Sequence, residues 1–279
     1  MEISQPTTTD EDYDAANALF QRGALLRKLR ELEREDEASR QQELDTDDND
    51  KVVLPPSDTL YYPDYIANQR GIYDDYKHVN YPYVNFGDVG GTPLVIAQDR
   101  SVGKGGLIWD AGYVLAQSII RNKDEWLLGD RPQRVVELGS GTGITGIMIA
   151  RTFPMSKVHL TDLPQLQPLL EKNTKHVENA TYGVLEWGKP VNETYDVILG
   201  ADVVAGIYDS QALVKSLFDL AHENTRIYLS ARERLSGLLD TFELDLKERF
   251  ATVERRMADS DNKNPSVFII CISGKRRFQ

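Results

Sequence analysis

The chain has 279 residues, 41% of them hydrophobic, and a formal net charge of −12. This length accommodates one large or two small domains, and the acidity argues against nucleic-acid binding, because no basic run exceeds Lys275-Arg276-Arg277. A single cysteine, Cys271, excludes an internal disulfide and a cysteine-based metal cluster, and no apolar stretch approaches the ~20 residues that span a bilayer. The first thirty residues hold no apolar run of the signal-peptide kind, so a cytoplasmic protein is expected, with the nucleus as a second compartment. The negative charge favours cationic partners such as lysine-rich protein surfaces.

Residues 1–10 are polar. From Asp12 to about Glu43 the sequence favours helix, with Leu19, Phe20, Leu25, Leu26, Leu29 and Leu32 forming an apolar stripe that can dock on the core or on a partner. An acidic stretch around Asp47-Asp48-Asn49-Asp50, followed by Pro55-Pro56, reads as a linker. Residues 1–57 are therefore expected to be a charged, partly helical or disordered extension, and 58–279 the folded domain.

Residues 60–86 are rich in tyrosine, including Tyr61, Tyr62, Tyr65, Tyr81 and Tyr83. Packing over the domain surface is the favoured role, with a substrate cleft as the alternative. Short strands are expected over 83–86 and 94–98. A small-residue loop at 101–106 leads to a helix starting near Trp109 and running to Arg121, with Asp110 as candidate N-cap. Trp109 is either a core anchor or a wall of the ligand site.

Val135 and Val136 end a buried strand, and Gly139, Gly141 and Gly143 follow in a tight turn before the apolar helix of 144–153. Gly141-Thr142-Gly143-Ile144-Thr145-Gly146 matches the dinucleotide fingerprint, which alone is a weak signal. Glu137 at the strand end favours a different ligand. A carboxylate beside the turn repels a pyrophosphate and suits a ligand carrying an ammonium and a sulfonium, as S-adenosylmethionine does. The next strand, 157–160, ends at Asp162. An acid there binds the ribose hydroxyls of any adenosine ligand, and it also offers a helix N-cap before Pro164.

A strand and turn are expected over 184–188, and a buried strand over 195–200 that ends at Ala201-Asp202. A helix over 212–221, a strand over 226–230 and a helix over 235–250 follow. Two strands, 251–257 and 266–273, close the chain as an antiparallel hairpin. A dinucleotide dehydrogenase would instead continue its βαβ alternation.

Taken together, Gly106-Leu107-Ile108-Trp109-Asp110-Ala111-Gly112, Val136 through Gly143, Leu160-Thr161-Asp162-Leu163, Leu185-Glu186-Trp187-Gly188 and Leu199-Gly200-Ala201-Asp202 resemble the seven-β-strand protein-lysine methyltransferases. This methyltransferase-like family includes the valosin-containing-protein and elongation-factor lysine methyltransferases. The resemblance covers roughly residues 80–275. It implies an α/β class I methyltransferase fold, a Rossmann-like, doubly wound sheet of seven strands with an antiparallel C-terminal hairpin. It also implies S-adenosylmethionine as cofactor and a lysine-bearing protein as substrate. The implied cofactor residues are Glu137, Gly139 and Gly141 for the methionine part, Asp162 for the ribose, and Leu163, Trp187, Trp109 and Ala201 around the rest. Asp202 opens the family's Asp-x-x-Tyr motif at the target lysine. Here Ala205 stands where the tyrosine belongs, and Tyr208 is the candidate to fill its space. The alternatives are a non-catalytic cofactor-binding interaction protein and a small-molecule methyltransferase.

Overall fold

Runs of Val, Ile and Leu with no polar alternation form strands that are covered on both faces, and three such runs make the centre of the sheet. The computed structural model describes residues 59–68, 76–126, 131–232, 236–258 and 267–277. β4 (Arg134–Leu138), β5 (Lys157–Asp162), β6 (Ala180–Val184), β7 (Tyr195–Ala201) and β8 (Ala221–Arg232) run parallel, and β9 (Phe250–Met257) and β10 (Val267–Lys275) close the sheet antiparallel. The seven-stranded order is β6-β5-β4-β7-β8-β10-β9. This is the class I methyltransferase arrangement. The order reverses between β4 and β7, and ligands of open α/β sheets bind outside the carboxyl ends of the strands at such a switch point.

Helices cover both faces. They are α2 (Asp110–Arg121), α3 (Ile144–Thr152), α4 (Gln167–Thr174), α5 (Ser210–Leu220) and α6 (Leu238–Arg249). One apolar cluster joins α2 and α3 to Val135, Val158, Val197 and Leu199; a second joins α5 and α6 to Val136, Ile198, Ile227 and Ile270. Neighbouring strand residues thus bury opposite sides, as the period-two geometry requires. No helix among the described residues is long and apolar enough to cross a membrane.

Upstream, β1 (Leu60–Tyr61), β2 (Tyr83–Val89) and β3 (Thr92–Ala97) form a separate three-stranded sheet, with α1 (Tyr62–Asn68) following β1. Tyr62 is fully buried, with ring centroids 4.9 Å from Phe86 and 5.4 Å from Tyr113. The tyrosine-rich stretch thus packs the core at this position.

Several boundaries differ from the sequence reading. β2 and β3 run past the expected limits to a turn at Gly90-Gly91, and β2 is bulged where Gly87 takes a φ of 74°. The strand expected over 184–188 ends at Val184 instead, and Leu185 to Gly188 form the connection after it. It is an edge strand with no buried residue, so it carried no apolar pattern to read. Asp110 is not the N-cap of α2: Trp109 holds that position and the Asp110 carboxylate is engaged in side-chain contacts. Nor does Asp162 cap the turn at Pro164, since Leu163 is the cap there. Asp209 caps α5, accepting from the Gln211 and Ala212 amides. Cys271 lies half-buried on β10. The helix expected over 12–43, the linker and the 57/58 boundary lie outside the described residues.

Candidate functional site

The turn after β4 is built for close approach. Gly139, Gly141 and Gly143 have φ of 62°, 56° and 82°, a region that costs any other residue energy. A Cβ on Gly141 would stand 2.7 Å from the Gly105 carbonyl oxygen, and one on Gly139 would stand 3.1 Å from Cζ2 of Trp187. The turn is locked to β5 by Ser140 and Thr161. Ser140 Oγ accepts from the Thr161 amide at 2.8 Å, and Thr161 Oγ1 donates to the Glu137 carbonyl at 2.7 Å. Ordinary hydroxyl residues do this work, and nothing in their local pattern marked them.

Asp162 ends β5 half-buried. One carboxylate oxygen accepts from the Gly141 amide at 2.7 Å and the other from the Leu163 amide at 2.7 Å. Burial pushes its pKa up, while the two amides pull it down. Leu163 beside it is 41% exposed, an uncovered apolar side chain next to an acid that faces the glycine turn.

Glu137 is placed differently from Asp162. Only 1% exposed, it lies beneath the turn, with Oε2 accepting from the Gly146 amide at 2.9 Å. Through that bond Glu137 supports the turn from beneath. Burial pushes its carboxyl up to about 7, against the pull of hydrogen bonds from Thr145 and Gly146. The folded chain thus favours the protonated acid. This contribution to stability is full below the ordinary value of 4.5 and is lost as pH rises toward about 7. The loss is on the order of 3 kcal/mol. Glu137→Gln is expected to remove it. Denaturant unfolding without cofactor at pH 5 and pH 8 should show wild type losing more stability than the variant across that interval. Equal losses would mean that the carboxylate stays ionised in its pocket.

The opposite wall comes from β7 and the connection after β6. The Leu185 amide donates to the Asp162 carbonyl at 3.0 Å and the Gly188 amide to Ser216 Oγ at 2.8 Å, which fixes Trp187 between them. Trp187 is half-buried, and the Tyr208 ring meets it edge-on at 5.7 Å and 76°. Tyr208 itself is 43% exposed. Ala201 ends β7 half-buried. Asp202 follows with φ 57°, the one non-glycine residue with positive φ among the described residues, and its amide donates to the Ser230 carbonyl at 2.8 Å. Aspartate adopts the left-handed region more readily than most residues, and a non-glycine residue there is uncommon enough to mark the position. Val203 and Val204 are buried, so the chain returns to the surface only after Ala205.

Trp109 is half-buried, and its indole N–H donates to the Lys104 carbonyl at 3.0 Å. The fold thus gathers Gly139, Gly141, Asp162, Leu163, Trp187, Ala201, Asp202 and Tyr208 around the carboxyl ends of β4, β5 and β7. Trp109 enters from the start of α2, and Glu137 lies beneath.

The profile of the family described as lysine methyltransferase matches residues 89–249, more than half of the chain. The chain belongs to the lysine methyltransferase family. It is 29% identical to protein-lysine N-methyltransferase EFM6 of Saccharomyces cerevisiae over 207 residues, covering 64% of this chain and 84% of that protein. It is 32% identical to EEF1A lysine methyltransferase 3 of Xenopus tropicalis over 173 residues, covering 58% and 74%. A UPF0665 family protein of Schizosaccharomyces pombe is 30% identical over 159 residues, covering 51% of this chain and 49% of that protein, so the match spans about half of the latter. The family profile begins at β2 and ends at α6, and therefore contains every site residue predicted from the sequence.

Proposed function

We propose that this lysine methyltransferase family member uses S-adenosylmethionine to methylate a lysine side chain of a protein. The single observation that carries the reading is the convergence at one sheet edge of Asp202 after β7, in a left-handed conformation uncommon outside glycine, the glycine turn after β4 and the Asp162 carboxylate of β5. The residues suit that cofactor. A Cβ would fill the cradle, Asp162 accepts hydrogen bonds of the kind a ribose diol donates, and Leu163 and Trp187 present apolar surface for a purine. When bound, S-adenosylmethionine supplies a methyl group activated on a cationic sulfur.

The chain's own residues do the rest. Lysine has an ordinary pKa near ~10.4 and must lose a proton before its lone pair can attack. A desolvated entrance lowers that pKa, whereas a lone carboxylate raises it. Asp202 therefore draws in the ammonium, accepts its proton directly or through water before attack, and orients the resulting amine by a hydrogen bond. Alignment of nitrogen with the methyl group accounts for much of the acceleration. Tyr208, lying edge-on to Trp187, stands in for the absent family tyrosine as one wall of the lysine entrance.

Incubating the full chain with methyl-labelled S-adenosylmethionine and a protein extract tests the reading. A discrete labelled band removed by protease supports it. Label confined to small molecules overturns the substrate class, and cofactor binding without any transfer overturns the activity. Tyr208→Ala is expected to raise KM for the protein substrate about tenfold while leaving cofactor affinity within twofold, as loss of an aromatic contact implies. Tyr208→Phe should remain near wild type. An unchanged KM in the alanine variant would remove Tyr208 from the entrance.

A further inference from the structure

Ser140 and Thr161 tie the glycine turn to β5, and a separate side chain ties it to the small upstream sheet. Asn173 lies on α4. Its Nδ2 donates to the Thr142 carbonyl at 2.9 Å and to the Ala97 carbonyl at 3.0 Å, while its Oδ1 accepts from the Ala97 amide at 2.9 Å. The nitrogen of a side-chain amide only donates and its oxygen only accepts, so these partners fix the orientation of the group and occupy both N–H donors. Thr142, 2% exposed, stands between Gly141 and Gly143 in the turn, and Ala97, 3% exposed, ends β3. One side chain thus joins α4, β3 and the turn.

The end of β3 is also fixed to the segment that carries Trp109. Gln98 follows Ala97. Its Oε1 accepts from the Ile108 amide at 2.8 Å, and its Nε2 donates to the carbonyls of His78 and Tyr81 at 2.8 and 2.7 Å. Ile108 immediately precedes Trp109. Consecutive residues of β3 therefore anchor two parts of the site. We infer that Asn173 is a positioning residue for the cofactor turn, holding the Thr142 carbonyl where the neighbouring Gly141 amide meets Asp162. This rests on the S-adenosylmethionine reading and deepens it, by naming a residue outside the glycine motif that acts through the turn.

Removing the Asn173 amide takes an N–H donor from a buried carbonyl, and the turn gains by shifting toward water. Ligand binding must then restore the turn, so affinity falls by the fraction of molecules that still hold it in place. About tenfold is expected. The loss should be the same for S-adenosylmethionine and S-adenosylhomocysteine, which share the adenosine and amino-acid parts. Asn179 supplies the control. Its Nδ2 makes the same kind of bridge at the opposite end of the strands, donating to the Ala150 and Ser156 carbonyls at 2.9 and 2.8 Å just before β6 begins.

Calorimetric titration of the full chain with both ligands, beside denaturant unfolding, is the test. Asn173→Ala should weaken both ligands about tenfold. Asn179→Ala should also destabilise the chain, yet bind both within about twofold of wild type. In transfer of labelled methyl to extract protein, Asn173→Ala should need about tenfold more cofactor for half-maximal rate and still reach the wild-type plateau within about twofold. Should Asn173→Ala not fold, Asn173→Asp takes its place. That variant keeps an oxygen for the Ala97 amide, lacks the N–H for Thr142, and should lose affinity at least as far. Wild-type affinity in the Asn173 variant, equal losses in the Asn173 and Asn179 variants, or a fallen plateau at unchanged half-saturation overturns the inference. A wild-type chain that binds neither ligand instead overturns the cofactor reading beneath it.

Discussion

Asp202→Ala is expected to lower methyl transfer by at least about 100-fold, the lower end of what a positioned proton acceptor contributes. Cofactor affinity should stay within a few-fold of wild type, because the glycine turn and Asp162 are formed by other strands. The backbone complicates the alanine variant. Asp202 has φ 57°, where a residue other than Gly, Asn or Asp costs ~1–2 kcal/mol. Asn tolerates that conformation, so Asp202→Asn separates the two effects: it should lose the rate without the stability. Single-turnover transfer and denaturant unfolding of both variants make the comparison. Full transfer by the asparagine variant would show that orientation alone suffices and that no proton is accepted at this position. Full transfer by the alanine variant would remove Asp202 from the chemistry.

Gly141→Ala should have the largest effect on cofactor binding, at least about tenfold, with a stability loss on the order of 2 kcal/mol or more. Two causes add. The φ of 56° is unfavourable to alanine, and the new methyl group would lie 2.7 Å from the Gly105 carbonyl oxygen, which is backbone and cannot swing aside. Relief requires the turn to move, and the Gly141 amide then leaves Asp162, the acid proposed to hold the ribose. Gly91 provides the control. Its φ is 86°, but a Cβ there meets nothing within 4 Å. Gly91→Ala should cost only about 1 kcal/mol and leave binding unchanged. If both variants lose the same stability and neither loses affinity, the cradle is a tight turn and no more.

The comparison of these two glycines shows how far a sequence can be read. Both stand in the chain as turn residues. Gly141, in the Gly-x-Gly-x-Gly run that follows Glu137, was recognisable as part of a tight strand-to-helix turn because local spacing encodes it. The backbone oxygen of Gly105 that makes it irreplaceable comes from 36 positions earlier (141 less 105), and no local pattern carries that information. Glu137 illustrates the same limit from the other side. Its position in the motif was legible, but its direction was not. The carboxylate turns under α3 to the Gly146 amide, where burial raises its pKa to about 7. Edge strand β6 was misplaced because a strand with no buried residue has no hydrophobic period to detect.

By itself the sequence determined the strand-turn-helix at 135–153, the acids at the ends of three parallel strands, the closing hairpin and hence the class of fold. Those follow from hydrophobic period, glycine spacing and chain order, which are local quantities. Tertiary structure alone decided that Ser140 and Thr161 lock the turn, that the Tyr208 ring meets Trp187 edge-on, and that Asp110 pairs with Arg232 and Tyr62 instead of capping its helix. Each of these joins segments far apart in the chain. Side-chain direction and partner choice there are set by which strands lie side by side in the sheet, a property of the packed whole that no single stretch of residues contains.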